Sequence, residues 1–217
     1  MHITRRFRSF LILTIFLGFF DQRAPDAAEA ANRTPKAVGM TGRVQFARES
    51  GVFAPLLLGT ELRPGDVIRT SVASAVDIDL GGGPGIVRLT ENSLLMLDRL
   101  PMTSTNGSNS MQADVSLNEG ELLGNFKAGQ VDSRLEIKTP LGIAQVVHGQ
   151  FRVQSRAYLV LVEGKMLFAH VPPGGQPAAH TLSAPPACYF TPVGGIRPAP
   201  RELVHEVKSQ LKAKLGK

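Results

Sequence analysis

This sequence predicts an all-β fold, a β-sandwich or jelly-roll-like domain of many short strands carrying a C-terminal amphipathic α-helix. Three observations predict it: short apolar alternations from Val38 to Pro192, glycine or proline at close intervals between them, and a four-residue apolar period after Pro200. Hydrophobic residues make up 43% of the chain and charged ones 19%, which supports a packed core and excludes global disorder. At 217 residues there is room for one ordinary domain with short appendages.

The chain opens with Arg5, Arg6 and Arg8 ahead of an apolar run from Phe10 to Phe20, the layout of an export leader. That run falls short of the ~20 residues a membrane-spanning helix needs. Cleavage is expected after Ala30, at the end of Ala28-Glu29-Ala30; an uncleaved leader serving as an anchor is the alternative. The expected organisation is a signal peptide over 1–30, a linker over 31–37, a β domain over 38–195 and a basic helical segment over 196–217. The expected location is the periplasm or the cell surface.

Within the domain, Val76, Ile78 and Leu80 share one strand face while Asp77 and Asp79 share the other, which predicts a solvated outer face for both carboxylates. Further strands are expected at 86–90, 94–97, 114–117, 121–126, 135–138, 143–147, 151–154, 158–162 and 165–169. Arg63-Pro64-Gly65-Asp66 has proline and glycine where a type II turn requires them, with Asp66 bonding nearby backbone. Thr139-Pro140-Leu141-Gly142 fits a type I turn. Glu119-Gly120 and Glu163-Gly164 each divide two apolar runs and are expected as hairpin tips. The segments 103–110 and 171–186 lack packing potential and are expected as exposed loops. Phe46, Phe126, Phe151, Phe168 and Phe190 fall within strand patterns and are expected in the core.

After Pro200, Leu203, Val207, Leu211 and Leu215 recur every four residues among Lys208, Lys212 and Lys214. This amphipathic basic helix either lies on the sheet as a lid or meets an acidic partner or an anionic membrane surface. Half of the formal charge of +6 resides there: residues 201–217 hold five basic and two acidic groups, and 31–200 hold fifteen against thirteen. A domain so nearly balanced has no footprint for nucleic acid.

No catalytic, cofactor-binding or metal-binding residue stands out. His148, His170, His180 and His205 lack metal-ligand spacing, His148 alone being a candidate pH-responsive group. The glycine run 81–85 lacks the ending of a phosphate loop, and no Gly-x-Ser-x-Gly element occurs. The one cysteine, Cys188, is flanked by Ala187, Tyr189 and Phe190 and is expected as a buried small hydrophobe.

The run from Pro55 to Thr70, containing Gly59, Gly65-Asp66 and Ile68-Arg69-Thr70, resembles the opening signature of FecR domains. Gly85-Ile86-Val87-Arg88-Leu89 with Ser93, then Leu117 to Leu123, then Ile137 to Ala144 with Thr139, Pro140 and Gly142, and finally Val162-Glu163-Gly164 are similar to the pieces that follow in order. The likeness spans about Val38 to Gly195. Val147-His148-Gly149-Gln150 stands where the family usually shows valine-arginine-glycine-threonine, so Val147 and Gly149 match while any role of the arginine or threonine does not carry over to His148 or Gln150. The resemblance implies that Gly59, Gly65, Asp66, Thr70, Thr139, Pro140, Gly142, Gly149 and Gly164 are structural turn and strand positions. Well-known members place a sigma-contacting segment before a membrane helix, and their periplasmic domain relays the state of an outer-membrane receptor. With nine residues ahead of its apolar run, this chain is expected to represent the exported half: a non-enzymatic binding or relay module whose partner is an envelope protein, or else a structural module on wall polymers.

Overall fold

The computed structural model describes residues 34–48, 51–81, 85–100, 112–127, 133–156, 158–172 and 174–215; the leader with Ala30 and the loop expected at 103–110 lie outside them. The strands are β1 (Lys36–Thr41), β2 (Val44–Ala47), β3 (Ala54–Pro55), β4 (Val67–Thr70), β5 (Ala75–Asp79), β6 (Gly85–Leu89), β7 (Leu94–Arg99), β8 (Gln112–Glu119), β9 (Glu121–Phe126), β10 (Arg134–Thr139), β11 (Gly142–Gln154), β12 (Leu159–His170), β13 (Ala178–Ala184), β14 (Cys188–Thr191) and β15 (Gly195–Pro198). The one described helix, α1 (Arg201–Leu215), follows them. The fold is all-β.

All strands join one hydrogen-bonded network in the order β1-β5-β6-β9-β11-β10-β8-β7-β4-β2-β3, with β12 beside β11 and carrying β13 and β14. Because β1 and β2, near opposite ends of that path, are separated in sequence only by Gly42 and Arg43, the sheet curls until its ends meet. One wall holds β1, β5, β6, β9 and the C-terminal half of β11; the other holds β2, β4, β7, β8, β10 and the N-terminal half of β11. β8 and β10 pair in parallel, as β9 passes through the opposite wall between them.

Among the connections made wholly of described residues, four, β1 to β2, β4 to β5, β6 to β7 and β8 to β9, cross from wall to wall as arches rather than hairpins. Glu119-Gly120 is therefore a corner: β8 pairs with β7 and β10, whereas β9 pairs with β6 and β11. The arches stack through backbone bonds, Ser71 N–H to Arg43 O at 3.1 Å, Asn92 N–H to Ser71 O at 3.3 Å and Ser155 N–H to Gly120 O at 3.0 Å. Buried hydroxyls satisfy the rest: Arg43 N–H donates to Ser74 Oγ, Ser93 N–H to Thr70 Oγ1 and Glu121 N–H to Ser93 Oγ. A buried donor left unpaired costs about 1–3 kcal/mol, so the hydroxyls of Thr70, Ser74 and Ser93, buried just beneath the exposed corner tips, stabilise the crossings.

Glu163-Gly164, also expected as a hairpin tip, lies inside β12, and His148-Gly149 lies inside β11. Two strands thus replace four expected ones. Gly149 and Gly164 are register partners with φ of 124° and 102°. A Cβ on Gly149 would stand 1.7 Å from the Glu163 carbonyl oxygen, and one on Gly164 would stand 2.0 Å from that of His148. With register shifts on both sides, at Val146/His148 and Gln150/Phe151, the two backbones bend together there. Below the bend β11 pairs with β10, and above it with β9, so one bent ribbon belongs to both walls.

The enclosed core contains Phe126, Phe151, Phe168 and Phe190 with aliphatic residues from both walls, and Phe46 packs at its margin. Cys188 is buried as expected, and burial raises its thiol pKa. The segment 171–186 is not wholly loop, because Ala178–Ala184 pairs with β12 along its length. Outside the core, Val207 and Leu211 of α1 are buried against Leu123, Val160 and Val162, with Leu203, Tyr158 and Tyr189 around them. α1 therefore lies on the sheet; the side chain of Leu215 is outside the described set. Its start follows Pro200, whose carbonyl accepts from Val204 N–H, and Lys208 and Lys212 fall toward the negative end of its dipole.

Gly164→Ala is expected to lower unfolding free energy by roughly 3 kcal/mol or more, since backbone atoms, not a movable side chain, occupy the space. Gly174→Ala, at φ 69° with nothing within 4 Å, should lose only about 1–2 kcal/mol. Urea denaturation of both variants measures the difference. Leu211→Ala is expected to destabilise by about 2–3 kcal/mol, near the lower end of core truncations because the helix is an outer layer; an unchanged melt would show that α1 does not hold the sheet.

Candidate binding site

The family-like positions fall at three places and do not converge on a reactive centre. At the first, Gly59 (φ 79°) donates its N–H to Ala37 O, and Gly65 (φ 90°) donates to Leu97 O. Asp66, buried, accepts from Arg63 N–H at 2.9 Å and closes the expected turn, with Arg48 Nε 3.8 Å from its other oxygen. Thr70 stands at the arch end, where its hydroxyl donates to Thr90 O. At the second place, Thr139 and Gly142 are a register pair closing the hairpin over Pro140 and Leu141, with the Thr139 hydroxyl donating to Gly142 O at 2.9 Å. Gly149 and Gly164 form the central bend.

Next to Thr70 a cleft of about 650 Å³ opens at the arch end, lined by Phe53, Arg69, Asn92, Ser93, Asn118 and Glu119 among others. Arg69 projects from the outer side of β4 because it alternates with buried Ile68 and Thr70. Its Nε donates to Gln45 Oε1 at 3.0 Å, and its Cζ lies 3.9 Å from the centroid of the Phe53 ring. A cation held over an aromatic face is oriented in advance, so little entropy is lost when it meets an acceptor. Arginine, two amides and a carboxylate around a half-buried phenyl ring suit recognition of a polar, extended ligand. The spacing of Phe53, Arg69, Asn92 and Asn118 carries no sequence motif, and only the fold brings them together.

Asp77 departs from its expected solvated position. It does face outward, but α1 covers that face, and Asp77 is 4% exposed. Its carboxylate accepts two bonds from Arg88, from Nε and Nη2, each at 2.6 Å. Arg88 Nη1 also donates to Gln210 O of α1, while Arg152 Nη2 donates to Glu206 and Gln210 side chains at 2.7 Å each. Glu121 lies 3.4 Å from Arg152 Nε and accepts from Gln154. The network pins the helix by charge where Val207 and Leu211 pin it by burial.

A third group lies at the opposite end of β12. His170 and His180 bring their Nε2 atoms within 3.2 Å, and both rings contact Phe190 while His170 also stacks on Phe168. Burial, then the neighbouring His180, lower the pKa of His170 below the usual histidine value. His148, the histidine singled out for pH response, is exposed. The cleft beside His170, about 520 Å³, is lined by Leu141, Ile143, Ala169, Val171 and their neighbours, with no charged residue.

Residues 66–167 match the family model described as FecR protein. Two crystal structures of a candidate anti-sigma factor from Parabacteroides distasonis ATCC 8503, at 2.50 and 1.65 Å resolution, are similar at 16% identity with TM-scores of 0.48 and 0.47. Each alignment covers 67% of this chain and 64% of that one, so this chain spans somewhat less than two thirds of their length. No curated protein matches.

Asp77→Ala is expected to destabilise by about 3–5 kcal/mol, because it leaves the Arg88 guanidinium buried without its counter-charge. The double variant Asp77→Leu/Arg88→Met should recover most of that loss. Thermal or urea unfolding of the three proteins measures the cycle, and additive losses would contradict the pairing.

Proposed function

From the premise that residues 66–167 of this chain are a FecR domain, we propose that the protein is a regulatory signal-relay module of the cell envelope that acts by contact and without catalysis. The family match is the observation that carries this reading. The FecR domain supports a signal-relay role, and the leader-like segment through Phe20 supports export to the periplasm or cell surface.

The electrostatics support contact rather than turnover. Asp77 is committed to Arg88, Arg152 to Glu206 and Gln210, and Asp66 to its own turn, so these groups shape and stiffen surfaces. The arch-end cleft is the proposed contact surface, with Arg69 held ready over Phe53. An extended segment of an envelope protein offers the carbonyl and carboxylate acceptors that such an arginine takes.

Purified protein is to be titrated against envelope extracts and, separately, against sedimented cell-wall polymer. The relay reading expects saturable binding to a discrete protein, weakened roughly tenfold or more by Arg69→Glu with no change in melting temperature. Co-sedimentation with wall polymer that Arg69→Glu leaves intact would overturn it in favour of a structural envelope role.

A further inference from the structure

We propose that His170 and His180 are a two-imidazole binding site for a divalent first-row transition-metal ion, with copper(II) bound most tightly. This stands apart from the relay reading and is tested separately.

The placement follows from strand register. Phe168 of β12 faces His180 of β13, and His170 lies two residues further along the same side of β12. That diagonal brings the two rings together at a centroid distance of 5.3 Å with Nε2 to Nε2 at 3.2 Å. Two imidazole nitrogens on one zinc ion, each about 2.0–2.1 Å from the metal, sit roughly 3.3 Å apart at a tetrahedral angle. The bite is therefore already set before any ion arrives.

The rings are also held in place. Phe168 stacks on His170 at 5.3 Å and 18°, and Phe190 packs against His170 at 5.3 Å and His180 at 4.8 Å. Imidazole ligates in its neutral form, through the nitrogen that carries no proton. The two Nε2 atoms stand at hydrogen-bond distance, so one of them carries a proton when they bond to each other. Presenting both lone pairs to an ion needs only a shift of one proton to Nδ1, with no net proton loss.

Chemistry selects the ion. Two nitrogen donors without a carboxylate suit copper, nickel or zinc and offer nothing to magnesium or calcium, which require oxygen. Among the described residues no group of three His, Cys, Asp or Glu converges on one point. The remaining coordination positions thus fall to water or to a donor atom from another molecule. An ion so held is open and exchangeable, unlike a structural zinc with four protein ligands.

The test is isothermal titration of the intact protein, without a polyhistidine tag, with copper(II), nickel(II), zinc(II) and magnesium(II). One saturable copper site per chain is expected, with weaker nickel and zinc binding and no magnesium binding. His180→Phe, which keeps a ring in the aromatic stack, should weaken copper binding at least tenfold while the melt is preserved; His148→Ala and His205→Ala should retain the site. Absence of saturable copper binding, or a site that survives in His180→Phe, overturns the proposal. If His180→Phe fails to fold, nitrogen hyperfine coupling in the copper spectrum of the unaltered protein decides, two imidazole nitrogens being expected and fewer contradicting it.

Discussion

The close backbone contact between Gly149 and Gly164 sets the architecture. A curled sheet needs some strand to serve both of its walls, and here β11 does so by changing partners from β10 to β9 across the bend. β12 must bend with it, since the two strands remain paired throughout. Side chains at the contact would force the ribbon apart, because carbonyl groups already fill the space a Cβ would take. The positions of the core phenylalanines follow: Phe151 lies just above the bend on β11 and Phe168 below it on β12.

What surrounds the bend distributes polar groups for a module that meets other molecules. At one end, hydroxyls of Thr70, Ser74 and Ser93 satisfy stacked arches and leave Arg69 and Phe53 at a cleft margin. On the outer face above the bend, α1 covers an ionic network whose members would be costly to bury alone. The buried faces of Val207 and Leu211 are thus used within the protein, while Lys208 and Lys212 remain exposed beside them. At the far end the imidazole pair closes the aromatic part of the core.

The inward faces were legible in the sequence because a period of two needs no knowledge of partners: Val76, Ile78 and Leu80 are all fully buried. So were the turn at Arg63 to Asp66 and the amphipathic helix. Pairing was not legible. Glu119-Gly120 reads like a hairpin tip, yet whether a corner turns back or crosses over depends on strands distant in sequence. Glycine within β11 and β12 read as punctuation, although a glycine inside a strand equally marks close backbone approach. Alternation places Asp77 on its correct face, but that face lies beneath α1. His170 and His180 match no ligand spacing, because antiparallel register rather than a local motif joins them.

The central claim is that the ribbon of β11 and β12 is one cooperative unit through its bend, and native-state hydrogen exchange tests it most directly. Amides at Val146 and Met166, below the bend, and at Val153 and Leu161, above it, are expected to exchange only through the same global opening, with equal free energies. Two distinct opening free energies, divided at Gly149 and Gly164, would show that the walls fold separately and would contradict it.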